Sequence, residues 1–143
     1  MKQVSLSILL AVCIFLITAC GSSSPPADAD VAILFTDEGC ELLKAPEGGV
    51  PNPTRVAVKN STENVYAIVV VTLRPGFIKA DLESFQGDDI PPSVEKIVDH
   101  MDPEREGSWL VEELPWNPGT DYFVICAQEG VGILSVPLVL TVK

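Results

Sequence analysis

The sequence predicts an all-β protein, a single antiparallel two-sheet sandwich with Greek-key connections. Three observations carry that prediction. About seven short stretches are rich in β-branched and aromatic residues, the composition of a pleated, half-buried surface. Clusters of Gly, Pro, Asn, Asp and Ser separate them, which is turn chemistry. Helical spacing is confined to short pieces, and no internal repeat divides the chain. Residues 31–143 therefore read as one domain, long enough to bury its own core.

In chain order, residues 31–35 (Val-Ala-Ile-Leu-Phe) are a short apolar run and the first strand. Residues 36–39 turn, Cys40 follows, and residues 44–53 hold three prolines and two glycines, a loop. Residues 54–59 alternate: Val56 and Val58 take one face, Arg55, Ala57 and Lys59 the other, a half-buried strand. Residues 60–64 form a polar turn. Residues 65–73 contain four valines and are apolar nearly throughout, which predicts a central strand with both faces covered. After Arg74-Pro75-Gly76, residues 77–85 space Phe77, Ala80, Leu82 and Phe85 as one or two helical turns over an end of the sandwich. Val94, Ile97 and Val98 mark a segment whose type, strand or helix, the pattern leaves open. Residues 100–107 read as a charged loop. Residues 108–114 are a strand with Trp109 and Val111 on one face. Residues 115–119 turn, and residues 122–127 are a strand of aromatic and β-branched residues. Residues 133–142 close the chain, and Pro137 within them implies a sheet edge or a bulge.

Ahead of this body lies an address. Lys2 is followed by an apolar run over residues 4–17, broken only by Ser5 and Ser7, then by small Thr18 and Ala19 before Cys20. The order is that of a signal-peptide helix. The run is short of the roughly 20 residues that span a bilayer. The junction Ile17-Thr18-Ala19-Cys20 resembles the lipobox of bacterial lipoproteins. That resemblance implies a diacylglyceryl thioether on Cys20, cleavage before it, and a second acylation, such as palmitate, on its new amine. It divides the chain into a signal peptide (1–19), a lipidated tether (20–30) and the sandwich (31–143). The Gly-Ser-Ser-Ser-Pro-Pro stretch after Cys20 suits a flexible tether. One acyl chain holds a protein to a membrane only marginally, and two or three hold it durably. The expected location is the bacterial cell envelope, facing the periplasm or the exterior.

The lipobox resemblance also decides how the cysteines are counted. Cys13 leaves with the leader and Cys20 takes the lipid, so Cys40 and Cys126 remain in an oxidising compartment. A Cys40–Cys126 disulfide is expected; metal ligation, the alternative, lacks a second cysteine pair or the needed histidines. The formal charge of −11 falls by one, to −12, when Lys2 leaves. Such a charge argues against nucleic acid as a partner, since its phosphates demand Lys and Arg. It keeps the protein soluble, or it meets a basic partner.

A second resemblance emerges from motif order. An alternating strand ends in Val58-Lys59-Asn60-Ser61, a turn leads to Tyr66 and a valine-rich strand, and late in the chain Pro118-Gly119 precede Tyr122 and Cys126. Over about residues 50–143 this resembles the cupredoxin-like fold of plastocyanin and azurin relatives. In the copper-binding members two His, a Cys and usually a Met hold the metal. Tyr66 stands at the position of the first His, and Ala127-Gln128-Glu129-Gly130 after Cys126 supply neither His nor Met. The spacing from Gly119 to Cys126 is one residue longer than usual. The resemblance thus implies the fold, and the residues argue against the copper.

Other candidates were weighed on their chemistry. His100 lies among Asp99, Asp102, Glu104 and Glu106, but Pro103 interrupts the run and the spacing of a calcium loop is missing. Gly130-Val131-Gly132 has no strand-to-helix context for phosphate. Glu112 and Glu113 point to opposite faces of a strand and cannot share acid/base work. Trp116, in a Pro-Trp-Asn-Pro turn, is of the large aromatics the one most open to exposure and a possible contact anchor, while packing over a sandwich end is the favoured reading. The expectation is a lipid-anchored, non-catalytic binding or envelope-associated module, without cofactor or metal, whose partner is a protein or a small molecule. The alternatives are a copper or electron-transfer protein with a non-standard site and an immunoglobulin-like adhesion domain.

Overall fold

The computed structural model describes residues 24–87 and 89–142. The leader and Cys20 lie outside the described residues. Eight strands form two four-stranded sheets, and one short helix lies between β4 and β5 in the chain. The first sheet contains β1 (Val31–Thr36), β2 (Gly39–Lys44), β3 (Thr54–Asn60) and β6 (Leu110–Leu114), in the order β2-β1-β3-β6. The second contains β4 (Tyr66–Leu73), β5 (Val94–Met101), β7 (Asp121–Gln128) and β8 (Gly132–Thr141), in the order β5-β4-β7-β8.

Alternation sets the core. Val31, Ile33 and Phe35 of β1 and Val56 and Val58 of β3 point inward to meet Ile68 and Val70 of β4 and Val124 and Cys126 of β7. The opposite faces of β1 and β3 present Ala32 and Ala57, and Ala29, Trp109 and Val111 pack there. The predicted pairing of Trp109 with Val111 on one face is thus found. The packed body begins before Val31. Ala29 is buried, Asp30 N donates to the Arg55 carbonyl at 2.8 Å, and the Asp30 carboxylate accepts from Arg55 N at 2.8 Å. Lys44 Nζ donates to the carbonyls of Ala27 and Ala29.

The sandwich is mainly antiparallel, with one departure among its paired strands and a single parallel bridge, Val50 to Val142, outside them. β1 pairs with β3 in parallel, Val31 opposite Val56 through Phe35 opposite Asn60. The cause lies in β2, whose residues 40–43 the sequence pattern leaves unassigned between a turn and a loop. Its Gly-Cys-Glu-Leu-Leu-Lys lacks alternation, because an edge strand is half exposed and needs no clean apolar face. β2 folds back on one side of β1 as a hairpin. The chain then crosses over residues 45–53 to enter on the other side, in the direction of β1.

β4 is central, as its continuous apolarity predicts: β5 flanks it on one side and β7 on the other. Its inner residues meet the core, while Val71 packs in a second cluster with Leu82, Val94, Ile125 and Val136 on the outer face. Leu82 belongs to α1 (Lys79–Glu83) and is fully buried. The helix therefore covers the outer face of the second sheet rather than an end of the sandwich. That face is apolar enough to need a cover. Pro137 sits in edge strand β8, where the register to β7 shifts between Val124 and Cys126.

Two polar networks hold the ends. At one end the Asn52 side chain donates to the Trp116 carbonyl at 2.9 Å and accepts from the Trp116 N–H at 3.1 Å. At the other, the Asn60 Oδ1 accepts from Thr62 N and Thr62 Oγ1 while its Nδ2 donates to the Asn64 carbonyl. The β5–β6 loop docks on that turn, Gly107 N donating to Asn60 O and Glu106 N to Thr62 O.

The Cys40–Cys126 disulfide, Cα atoms 6.3 Å apart, joins edge strand β2 of one sheet to inner strand β7 of the other. It closes a loop spanning a sequence separation of 86. A Cys40→Ser/Cys126→Ser double variant is expected to lose roughly 4–5 kcal/mol in denaturant unfolding, the chain-entropy value for such a loop. Asn52→Ala, which strands both backbone groups of Trp116, is expected to cost about 1–3 kcal/mol in the same measurement.

Candidate functional site

The residues that would stand where the family resemblance sets its copper are packed into the core. Tyr66 opens β4, and its ring stacks on Phe35 with centroids 4.5 Å apart and planes 6° from parallel. Its hydroxyl accepts from Asn64 Nδ2 at 3.4 Å. Cys126 is fully buried, two positions along the β4–β7 ladder from the Tyr66–Gln128 pair, and its sulfur is bonded to Cys40. A thiolate ligand needs that sulfur free.

His100 and Met101 were assigned to the charged loop; both belong to β5. Val69 pairs with His100 and Ile68 with Met101, so the strand continues to that point and the loop begins at Asp102. Alternation sends the two side chains to opposite faces. Met101 enters the core, and His100 is exposed on the outer face with Nε2 3.2 Å from Asp102 Oδ1. They cannot meet at one metal. Among the described residues, no group of three or more His, Cys, Asp or Glu is arranged to hold a metal ion.

Trp116 as a contact anchor is corrected: the residue packs over a sandwich end, the favoured of its two sequence readings. It is 4% exposed, its Nε1–H donates to Thr54 Oγ1 at 2.7 Å, and its indole lies tilted on Tyr122 with centroids 4.6 Å apart. The Tyr122 hydroxyl in turn accepts from Asn117 N at 2.8 Å. The Pro-Trp-Asn-Pro turn therefore folds its aromatic inward to plug the sandwich end. The indole N–H could enter the core because Thr54 supplies an acceptor there.

The surface feature best suited to binding is one the sequence reading missed. The outer face of the second sheet is only partly covered by α1 and the segment after it. Between Val69, Val71 and Ile125 on the sheet and Ile90 and Pro91 on that segment lies an open hollow of about 150 Å³. Its walls are almost wholly apolar, with Ile90 63% and Ile97 42% exposed at its rim. A second depression adjoins it, sharing Val69, Ala127 and Gly132, and is walled by His100, Asp102, Gln128 and Glu129. The near-continuous apolar run of β4 was the one available signal for this face. It announced two covered faces without revealing that one cover would be incomplete.

Trp116→Phe keeps most of the plug and removes the hydrogen bond that Thr54 Oγ1 accepts, while the hydroxyl still donates to the Pro51 carbonyl; a loss of about 0.5–1.5 kcal/mol is expected on unfolding. With Trp109→Phe, leaving Trp116 as the sole indole, the emission should be blue-shifted and weakly quenched by iodide. Red-shifted, readily quenched emission would contradict the buried position.

No family model, no curated protein and no solved structure matches this chain.

Proposed function

We propose that the protein is an extracytoplasmic lipoprotein, anchored by lipid on Cys20, whose cupredoxin-like body serves as a copper-free, non-catalytic binding module. The observation that carries the reading is the fate of Cys126. It is paired with Cys40 in a disulfide, and disulfides persist in exported proteins rather than in a reducing cytosol. The same bond occupies the sulfur that a cupredoxin-type copper site would require, with the Tyr66 ring packed on Phe35 nearby. Strand order supports the fold assignment. β3 and β6 are neighbours in one sheet and β4 and β7 in the other, so connections β3–β4 and β6–β7 both cross between sheets in Greek-key fashion. The parallel β1–β3 pair and the orders β2-β1-β3-β6 and β5-β4-β7-β8 depart from an immunoglobulin-type arrangement of wholly antiparallel sheets.

Intact mass spectrometry of membrane-extracted protein under non-reducing conditions tests the reading. The expected species begins at Cys20, carries a diacylglyceryl group and an additional acyl chain, and lacks two hydrogens for the disulfide. A retained leader, or an unmodified Cys20, overturns the anchor. Incubation with copper is expected to yield neither stoichiometric metal nor an intense visible band; either one would overturn the copper-free assignment.

A further inference from the structure

The two outer faces of the sandwich are finished differently. Over the first sheet, Ala29, Trp109 and Val111 pack on Ala32 and Ala57. Over the second, Leu82 closes one part, while the part above Val69 and beside Ile97 stays open. An apolar hollow of about 150 Å³ holds one compact group, since a cavity of that size in a protein interior takes a single benzene ring. It fits one leucine-sized or aromatic side chain. The exposed Ile90 and Ile97 extend apolar surface past the hollow, more than a ligand of that size would cover. A rim of this kind is what surrounds a single buried anchor in a protein–protein contact and keeps water from it.

Charge narrows the partner. Asp89 lies in the hollow's wall, and Asp102 and Glu129 wall the adjoining depression. Among the described residues lining the two, none is Lys or Arg; His100, facing Asp102, is the remaining titratable side chain beside Tyr66. Along β4 the floor runs from Val71 in the hollow to Ala67 in the depression, four residues or about 13 Å. An extended peptide covers that length in three or four residues. The whole chain, at a formal charge of −11, would draw such a basic segment toward it.

We infer that this face docks a polypeptide segment, seating one branched or aromatic side chain in the hollow and a Lys or Arg over Asp102 and Glu129. The inference rests on reading the domain as a binding module. The lipid and copper measurements above do not depend on it, so a failure here leaves those results standing, and the reverse holds.

The test uses the full chain with 13C-labelled isoleucine and valine methyls, titrated with acetyl-Gly-Leu-Gly-Gly-Lys-Gly-amide. The expected result is saturable shifts confined to the methyls that line the hollow and the depression, those of Val69, Val71, Ile90, Ile97 and Ile125 foremost. Affinity should fall at least tenfold when the peptide's leucine becomes alanine or its lysine becomes glutamate. It should fall comparably in an Asp102→Asn/Glu129→Gln variant, whose exposed positions leave the remaining spectrum unchanged. Absence of saturable shifts, or equal affinity for the lysine and glutamate peptides, overturns the proposal. Hexylammonium binding the same methyls as tightly as the peptide would also overturn it, since the site would then take a free amine.

Discussion

The constraint on which this structure most depends is the covalent tie between its two sheets. Two four-stranded sheets packed face to face are held by apolar burial, which is strong but non-directional. The Cys40–Cys126 bond adds direction. It fixes edge strand β2 against inner strand β7, near the position where Tyr66 stacks on Phe35 across the same interface. A strand as short and as half-exposed as β2 has few apolar contacts of its own, so the bond secures the element least able to secure itself. The same bond takes up both cysteines among the described residues, so neither offers a thiolate to a metal.

Around that tie, the core is a matter of alternation and the ends are a matter of hydrogen bonding. Inward residues of β1, β3, β4 and β7 form one continuous cluster. The loops that close the sandwich would leave backbone groups unpaired, and side-chain amides answer for them. Asn52 mimics a strand partner for Trp116, and Asn60 organises the turn that receives the β5–β6 loop. A buried indole with a threonine acceptor and a tyrosine beneath it completes one end. These contacts close the sandwich ends, while the second sheet's outer face keeps apolar surface open to solvent at Ile90 and Ile97.

That incomplete cover follows from the length of α1. A short helix can bury Leu82 and shield Val71 and Ile125, but five residues do not span a four-stranded sheet. The hollow beside Ile90 is what remains, and the carboxylates next to it give it a sign of charge. Binding modules use surface that folding leaves unsatisfied in this way, an apolar seat with polar groups at its margin.

Much of the fold was legible because period-2 alternation is a local property. β3 declares its two faces in Val56, Val58 and Ala57, and β4 declares both faces buried through its valines. The turn residues between strands, and the edge position implied by Pro137, are equally local. The disulfide partners followed from counting, once the lipobox resemblance set Cys13 and Cys20 aside. What the sequence could not state were facts about neighbours distant along the chain. β2 has no alternation to announce it and exists through its pairing with β1. The parallel β1–β3 pairing depends on which side of β1 the crossover returns to. Trp116 reads as a packed or an exposed aromatic, and its polar partners Thr54 and Asn52, more than sixty positions earlier, appear only in the fold. His100 and Met101, adjacent in sequence, are separated to opposite faces by pairing with β4. By itself, then, the sequence determined a β-sandwich, its turns and its covalent pair, because those follow from local pattern and residue chemistry. Tertiary structure alone decided the register, the inward Trp116 and the open hollow, because each depends on surfaces that meet only after the chain has folded.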